Sequence, residues 1–178
     1  MLQTKKLAVI GMLAAMCAVL GYVSIDMGNL KFTFESFPVL IGALIGGPAD
    51  GLLIGGLGTL IYQLLRYGVS VTTPLWMLPY ALCGWLVGRY AQSRHFELSR
   101  KQLTITVIIN ELIISLINTA VLYIDSRIYG YYNPVYIFGS IAPRFVICII
   151  KAIVFAAVLP SVLHAVKRAL QNTLNERA

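Results

Sequence analysis

The chain alternates long charge-free apolar runs with short clusters of Lys and Arg, and this alternation limits its possible folds more than any other feature. Nine of the fourteen Lys and Arg residues fall in three clusters, namely Lys5/Lys6, Arg89/Arg94/Arg100/Lys101 and Lys167/Arg168/Arg177. Charged residues make up only 12% of the sequence, whereas about a quarter is usual in soluble domains. The pattern therefore indicates an integral membrane protein.

Each cluster is expected on the cytoplasmic side, because cytoplasmic loops collect Lys and Arg. The chain must then cross the membrane an even number of times between clusters. The apolar runs supply four crossings between the first two clusters and two between the last two. We predict an all-α membrane protein with six transmembrane helices and both termini cytoplasmic. The single membrane domain covers residues 1–178, with helices at about 5–25, 36–47, 49–66, 73–91, 102–124 and 139–170.

The second and third predicted helices are short and are joined by a turn that contains Gly46, Gly47, Pro48 and Gly51. Glycine and proline in such a run do not continue a helix. Backbone broken at membrane depth is tolerated only against protein or a water-filled cavity. The segment therefore predicts a tight helical hairpin inside the bundle. The break in this hairpin is expected to face either other protein segments or a water-filled cavity.

Small residues at four-residue spacing let helix backbones approach closely in lipid. On the first helix, Gly11/Ala15 and Ala14/Ala18 form two adjacent smooth ridges. Because this helix is terminal, we interpret the two ridges as an intermolecular face. Internal packing is the alternative.

Glu111 and Lys151 lie within apolar runs, where an ionisable residue costs roughly 2.5–3.5 kcal/mol and needs a partner or a purpose. The helical rise places Glu111 about 13 Å above the inner surface and Lys151 about 18 Å below the outer one. In a hydrocarbon core about 30 Å thick these depths nearly coincide. We predict a Glu111–Lys151 ion pair with a structural role, and the acid and base of a membrane-embedded enzyme is the alternative. Ser115 and Asn118 share the helix face of Glu111.

Polar and aromatic side chains collect at the predicted outer ends of the helices. Trp76 and Tyr80 share a helix face with hydroxyl groups and are candidates for ligand contact. External cations outnumber external acids, which favours an anionic or carboxylate-bearing ligand. Arg144 is the strongest single candidate. The candidate substrate-binding residues are Asn29, Lys31, Glu35, Gln63, Arg66, Thr73, Trp76, Tyr80, Arg127 and Arg144.

Several chemistries have no support in the sequence. There is no GxxxxGK[ST] motif, so the chain is not expected to use ATP by itself. No Ser/His/Asp set or HExxH motif indicates a hydrolase, and Cys17, Cys83 and Cys148 lack metal-ligand spacing. We predict no catalytic activity, no metal and no cofactor. A nucleic-acid partner is not expected either, because membrane topology and anionic lipid account for the net charge of +7.

Four segments carry a family resemblance. They are AVIGMLAAMCAVLG, NLKFTFESFPVLIGALIGGPADGLLIGGLGTLIYQL, TTPLWMLPYALCGWLVGRYA and APRFVICIIKAI. Together they resemble the substrate-binding S components of energy-coupling factor (ECF) vitamin transporters, and most closely the folate family. The resemblance implies a protein of the bacterial plasma membrane that binds a vitamin at its outer face. It also implies delivery of the vitamin inward with a transmembrane T component and two ATPase subunits.

The resemblance also implies roles for particular residues. Ala14 and Ala18 match an AxxxA-like motif that contacts the T component, with Gly11 and Ala15 alongside. If the vitamin is folate, its carboxylates would be held by Arg66, Arg127 or Arg144, and its pterin would stack on Trp76 or Tyr80. Three alternatives stay open: an S component for another vitamin or a modified base, a self-sufficient small secondary transporter, and a structural protein without a ligand.

Overall fold

The computed structural model describes residues 2–27, 30–139 and 141–175, and most of them are helical. The helices are α1 Leu2–Tyr22, α2 Ser36–Gly46, α3 Pro48–Tyr67, α4 Thr73–Ser93, α5 Arg100–Ile128, α6 Pro134–Phe138 and α7 Ile141–Asn175. Strands β1 (Ile25–Met27) and β2 (Leu30–Phe32) form an antiparallel hairpin that pairs Asp26 with Lys31. The expectation of a helical protein is confirmed.

Several details differ from the sequence-based expectation. Helix α3 was expected to be short, like α2, but it runs for 20 residues. The β-hairpin was not predicted, because strands of three residues are too short to show an alternating pattern. The five-residue helix α6 was not predicted either. Helix α5 continues to Ile128 rather than ending near 124, because Asp125 is buried on α5 and accepts a hydrogen bond from the Trp76 indole. A charge near the predicted outer end therefore did not mark the end of the helix.

Two helix boundaries have clear local causes. Gly47 separates α2 from α3 with a φ of 93°, a conformation that costs glycine little. Pro48 then takes the first helical position of α3, where its missing N–H removes no helical hydrogen bond. At α5 the Ser99 hydroxyl accepts from the Gln102 N–H at 3.3 Å, and the Gln102 side chain accepts from the Ser99 N–H at 3.0 Å, which is a capping box.

Helix α2 lies at the centre of the bundle and contacts α1, α3, α4 and α7. Its Leu40 and Leu44 belong to a buried cluster with Val87 of α4, Val107 of α5 and Phe155 of α7. The short central helix is thus enclosed by longer ones, as the broken hairpin predicted. The Lys6 Nζ lies 2.8 Å from the Asp50 Oδ1 and ties α1 to α3 at the end where α2 and α3 meet.

Three of the described helical stretches are both long and apolar enough to cross a membrane. They are Thr4–Tyr22, Arg100–Ile128 and Ile141–Val166. Helix α2 has only 11 residues, which corresponds to about 16 Å. Large apolar side chains are exposed along the outside of the helices, including Leu65 on α3 and Ile153 on α7, as a lipid-facing surface requires.

Candidate ligand-binding site

A cavity of about 560 Å³ opens within the bundle. It lies toward the end that carries the β-hairpin, the end of α3, the start of α4 and the end of α5. Its walls come from β2, the connector before α2, and helices α3, α4, α5 and α7. The lining residues are Lys31, Thr33, Glu35, Tyr62, Gln63, Tyr67, Ser70, Thr72, Trp76, Tyr80, Glu111, Ile114, Ser115, Asn118, Leu122, Asp125, Tyr129, Tyr131, Arg144, Ile147, Cys148 and Lys151.

One corner of the cavity is built where the β-hairpin meets α3. The Lys31 ammonium donates to the Tyr62 hydroxyl and lies 3.7 Å from the centre of the Tyr62 ring. Tyr62 in turn donates to the Tyr67 hydroxyl at 3.2 Å, and the two rings meet edge to face. Because Tyr62 is 1% exposed, this network holds the hairpin against a rigid aromatic anchor.

Glu35 brings a buried carboxylate to the same wall. Its Oε2 accepts a hydrogen bond from Thr33 Oγ1 at 3.1 Å, and its backbone N–H donates to the same hydroxyl at 3.0 Å. Tyr80 lines the same cavity as this carboxylate. Burial raises the pKa of Glu35, and the Lys31 ammonium acts in the opposite direction. The geometry makes Glu35 an acceptor held in one place.

The wall between α4 and α5 carries an acid bound by two aromatic donors. The Trp76 Nε1 donates to the Asp125 Oδ1 at 3.3 Å, and the Tyr131 hydroxyl donates to the Asp125 Oδ2. Just before α4, the Ser70 hydroxyl lies within hydrogen-bond distance of the Thr72 and Thr73 hydroxyls, at 3.2 and 3.0 Å. These contacts fix the orientation of the Trp76 ring along the cavity.

The expected ion pair is present and belongs to the cavity wall. The Lys151 Nζ lies 2.6 Å from the Glu111 Oε2, and both residues line the cavity. Glu111 is 2% exposed and Lys151 is 6% exposed. The other carboxylate oxygen, Glu111 Oε1, is buried without a hydrogen-bond partner. The pair therefore has one oxygen bound by Lys151 and one oxygen without a hydrogen-bond partner.

Arg144 lies on α7 between the cavity and a second, apolar groove. Its Nη1 donates to the Thr119 Oγ1 at 3.3 Å. The groove, of about 600 Å³, runs between α5, α6 and α7, and Arg144 and Ser115 line both spaces. Arg144 is thus placed where an anionic part of a ligand in the cavity would meet a guanidinium.

The structure brings six of the ten candidate binding residues together in the cavity wall. They are Lys31, Glu35, Gln63, Trp76, Tyr80 and Arg144. Thr73 is buried beside Ser70 but does not line the cavity. Asn29 lies outside the described residues.

Arg66 and Arg127 make contacts outside the cavity wall, and their expected role in binding stays a prediction. The Arg66 Nη1 donates to the Tyr22 carbonyl oxygen at 2.8 Å and so ties the end of α1 to α3. The Arg127 guanidinium lies 3.9 Å from the centre of the Tyr132 ring, on the exposed side of α5. Neither residue lines the cavity, because the helix turn carries each side chain away from it.

The two ridges of α1 lie on different faces of the helix, and their role in docking stays a prediction. Ala14 is 3% exposed and Ala18 is 5% exposed, because this face of α1 packs against α3. A Cβ at Gly58 would lie 2.9 Å from the Ala14 carbonyl oxygen, so the two backbones are in close contact. Gly11 and Ala15 lie on the exposed face of α1. Ala14 and Ala18 are therefore occupied within this chain.

Several cavity residues were not among the sequence-based candidates for binding. The clearest are Thr33, Tyr62, Asn118 and Asp125. Asn118 was detectable, since it follows Glu111 by seven residues and shares its face. No feature of the sequence indicated Thr33 as a cavity residue, because its position depends on the β-hairpin, which was not predicted. In the described part of the chain no group of three or more His, Cys, Asp and Glu side chains is arranged to hold a metal ion.

Comparisons with known proteins agree with this architecture. The family model described as "ECF transporter, substrate-specific component" matches residues 5–163. The structure is similar to a solved chain reported under "Structure and mechanism of the S component of a bacterial ECF transporter", with a TM-score of 0.60 and 23% sequence identity. The match covers 97% of this chain and 98% of that chain. No curated protein matches the sequence. The chain belongs to the family of substrate-specific components of ECF transporters.

Proposed function

We propose that this chain is the specificity subunit of an ECF-type importer that captures a vitamin, with folate as the first candidate, from the outside of a bacterial cell. The subunit then delivers the vitamin inward with a T component and two ATPase subunits. The observation that carries the proposal is the cavity of about 560 Å³. It is lined by aromatic rings and by charged groups from separate helices, which is the usual composition of a small-molecule site.

The proposal includes six membrane spans with both termini in the cytoplasm. Lys5, Arg94 and Lys101 lie at the end of the bundle opposite the cavity, at the start of α1, the end of α4 and the start of α5. Because Lys and Arg collect on the cytoplasmic side, this distribution supports an outward-facing cavity. Helix α2, which is too short to span a bilayer by itself, is enclosed by longer helices.

Folate matches the chemical groups in the cavity wall. It has a flat, donor-bearing pterin at one end and two carboxylates at the other. Trp76 and Tyr80 supply aromatic faces for the ring, and Arg144 supplies a bidentate donor for a carboxylate. Lys31 is the second external cation in the wall. Arg66 and Arg127 no longer contribute to this argument.

Docking on the T component is proposed for the exposed part of the α1 face. Gly11 and Ala15 keep a smooth surface there, and nothing lies within 4 Å of a Cβ built at Gly11. Small residues of this kind allow a partner helix to approach closely in lipid. The role expected for Ala14 and Ala18 passes to these two neighbours.

Reconstitution in liposomes tests the proposal against its main rival. With a T component and ATPase subunits present, we expect uptake of labelled folate that requires ATP and is lost in Arg144→Ala. Uptake by this chain alone, driven only by an ion gradient, would instead identify a self-sufficient secondary transporter. ATP-dependent uptake of a different vitamin or a modified base would keep the transport role and reject folate.

A further inference from the structure

The buried oxygen of Glu111 marks the deep end of the cavity. Glu111 is 98% buried, and Lys151 binds only its Oε2. Oε1 is buried without a partner. Leaving a buried acceptor without a hydrogen bond is unfavourable, and more so when the acceptor is charged. A ligand that donates to Oε1 removes this cost, whereas a ligand without a donor there retains it.

A second buried carboxylate lines the same cavity. Glu35, Tyr80 and Glu111 are all lining residues. Glu35 is 2% exposed. Two carboxylates on separate elements thus supply hydrogen-bond acceptors to one cavity. Lys151 binds one oxygen of Glu111, and Thr33 donates to one oxygen of Glu35.

The opposite end of the cavity has a different chemistry. Arg144 precedes Lys151 on α7 by seven residues, or about 10 Å along the helix axis. Its guanidinium donates to Thr119, eight residues beyond Glu111 on α5. The cavity wall thus carries the Glu111 carboxylate at one depth and the Arg144 guanidinium about two helical turns nearer the outer end. A ligand that fits both ends has a donor edge at one end and an anionic group at the other.

We propose that Glu111 determines ligand specificity. Its Oε1 accepts a hydrogen bond from the N–H edge of a planar heterocycle such as an amino-substituted pteridine or pyrimidine. The anionic part of the ligand then points to Arg144. This inference rests on the proposed function, since it requires that the cavity binds a vitamin. The Glu111–Lys151 pair was predicted to have a structural role, which here means joining α5 to α7. Under this inference Glu111 is a specificity determinant, and Lys151 is the residue that positions it.

The test compares two isosteric rings on the purified protein by isothermal titration calorimetry. Pterin carries an amino donor at the position where lumazine carries a carbonyl. We expect wild-type protein to bind pterin at least about tenfold more tightly than lumazine, because a hydrogen bond to a charged group is worth about 1.5–3 kcal/mol. In Glu111→Met/Lys151→Met, which removes both charges, we expect this preference to disappear. Equal binding of the two rings by wild-type protein would overturn the inference.

Two further variants separate the specificity role of Glu111 from the structural role of the ion pair. Glu111→Lys/Lys151→Glu keeps an ion pair between the helices but moves the carboxylate to α7. If the ion pair has only a structural role, this variant should bind ligand as wild-type protein does. The inference instead predicts that the variant is stable but does not prefer pterin to lumazine. Asp50→Asn is the matched control, because Asp50 is 5% exposed and paired with Lys6 at the other end of the bundle. This control is expected to leave both affinities unchanged.

Folic acid tests the orientation and separates the two levels of proposal. We expect Arg144→Ala to weaken the binding of folic acid but not the binding of pterin. If folded wild-type protein binds another vitamin and not folic acid, the folate proposal fails. The inference is then tested with that vitamin. It is supported if the affinity for the vitamin falls at least tenfold in Glu111→Met/Lys151→Met and is unchanged in Asp50→Asn. Any other pattern overturns it. The absence of binding by every vitamin tested overturns both.

Discussion

The α3–α4 contact and the α5–α7 contact are built in different ways. Between α3 and α4 the backbones touch: a Cβ at Gly51 would collide with the Gly84 carbonyl, and a Cβ at Gly55 would collide with the Tyr80 carbonyl. Between α5 and α7 the contact runs through side chains, including the Glu111–Lys151 pair. Backbone contact leaves no room for adjustment, whereas side-chain contact leaves space along the helices.

This difference explains where the empty space lies. The cavity and the apolar groove both take part of their walls from α5 and α7. The α3–α4 unit supplies a fixed wall that positions Gln63, Trp76 and Tyr80. Substitutions on the α5–α7 side can therefore change the shape of the cavity without disturbing the α3–α4 packing.

The largest expected effect comes from breaking the α5–α7 contact at its charged pair. Lys151→Met leaves the Glu111 carboxylate buried without its ammonium, which costs about 3–5 kcal/mol. Glu111→Met/Lys151→Met replaces both charges by apolar groups and is expected to recover most of that loss. Denaturant unfolding in detergent measures both variants. Equal stability of the single and double variants would show that the pair does not join α5 to α7.

The next largest effect comes from opening the α3–α4 contact. Gly51→Ala forces a methyl group against the Gly84 backbone, and overpacking of this kind costs about 3 kcal/mol. Gly56→Ala on the same helix is the control, because its nearest neighbour would be the Ala81 Cβ at an ordinary 3.7 Å. Thermal unfolding should separate the two variants. Similar melting temperatures would contradict the description of a rigid wall.

A smaller effect tests whether α1 belongs to the closely packed side. Ala18 is buried and Ala15 is exposed, although they are three residues apart on one helix. Ala18→Leu is expected to destabilise the protein by about 2 kcal/mol, and Ala15→Leu to leave stability within about 0.5 kcal/mol. Co-purification with the T component provides the second readout, and there only Ala15→Leu is expected to reduce binding without unfolding the subunit. The reverse pattern would restore the original interpretation of the ridge.

The smallest effect concerns an arginine outside the cavity. Arg127→Ala removes a contact with the Tyr132 ring, and an exposed cation–π contact is worth about 0.5–1 kcal/mol. Ligand affinity is expected to stay within about twofold of wild type, whereas Arg144→Ala reduces the affinity for folic acid. Titration calorimetry on the two variants makes the comparison. A similar loss of affinity in both would mean that the external arginines act through their charge alone.

The sequence predicted the helices well because their signals are strong and local. Charge-free runs marked most of the helices, and the Gly47-Pro48 pair marked the break between α2 and α3. The Glu111–Lys151 pair could be predicted because helical rise alone brings the two residues to one depth. Such features depend on spacing along one helix and on the thickness of the bilayer.

The composition of the cavity wall was less predictable, since it depends on the rotation of each helix. Arg66 and Arg144 were both candidates because each is an arginine near a predicted outer end, although Arg144 was the stronger candidate. In the fold, Arg66 binds the Tyr22 carbonyl oxygen and Arg144 lines the cavity. The role of the Ala14/Ala18 ridge was hard to assign for the same reason, because a smooth helix face fits an internal neighbour as well as an external partner.

The most direct test of the cavity as the vitamin site is a fluorescence titration of Trp85→Phe, which leaves Trp76 as the only tryptophan. Trp76 lines the cavity, while Trp85 is 43% exposed on the same helix. With a correction for light absorbed by the ligand, we expect saturable quenching by folic acid. Trp76→Phe, which retains Trp85, should show little change. Unchanged Trp76 emission with folic acid and with every other vitamin tested, in protein shown to be folded, would contradict the account.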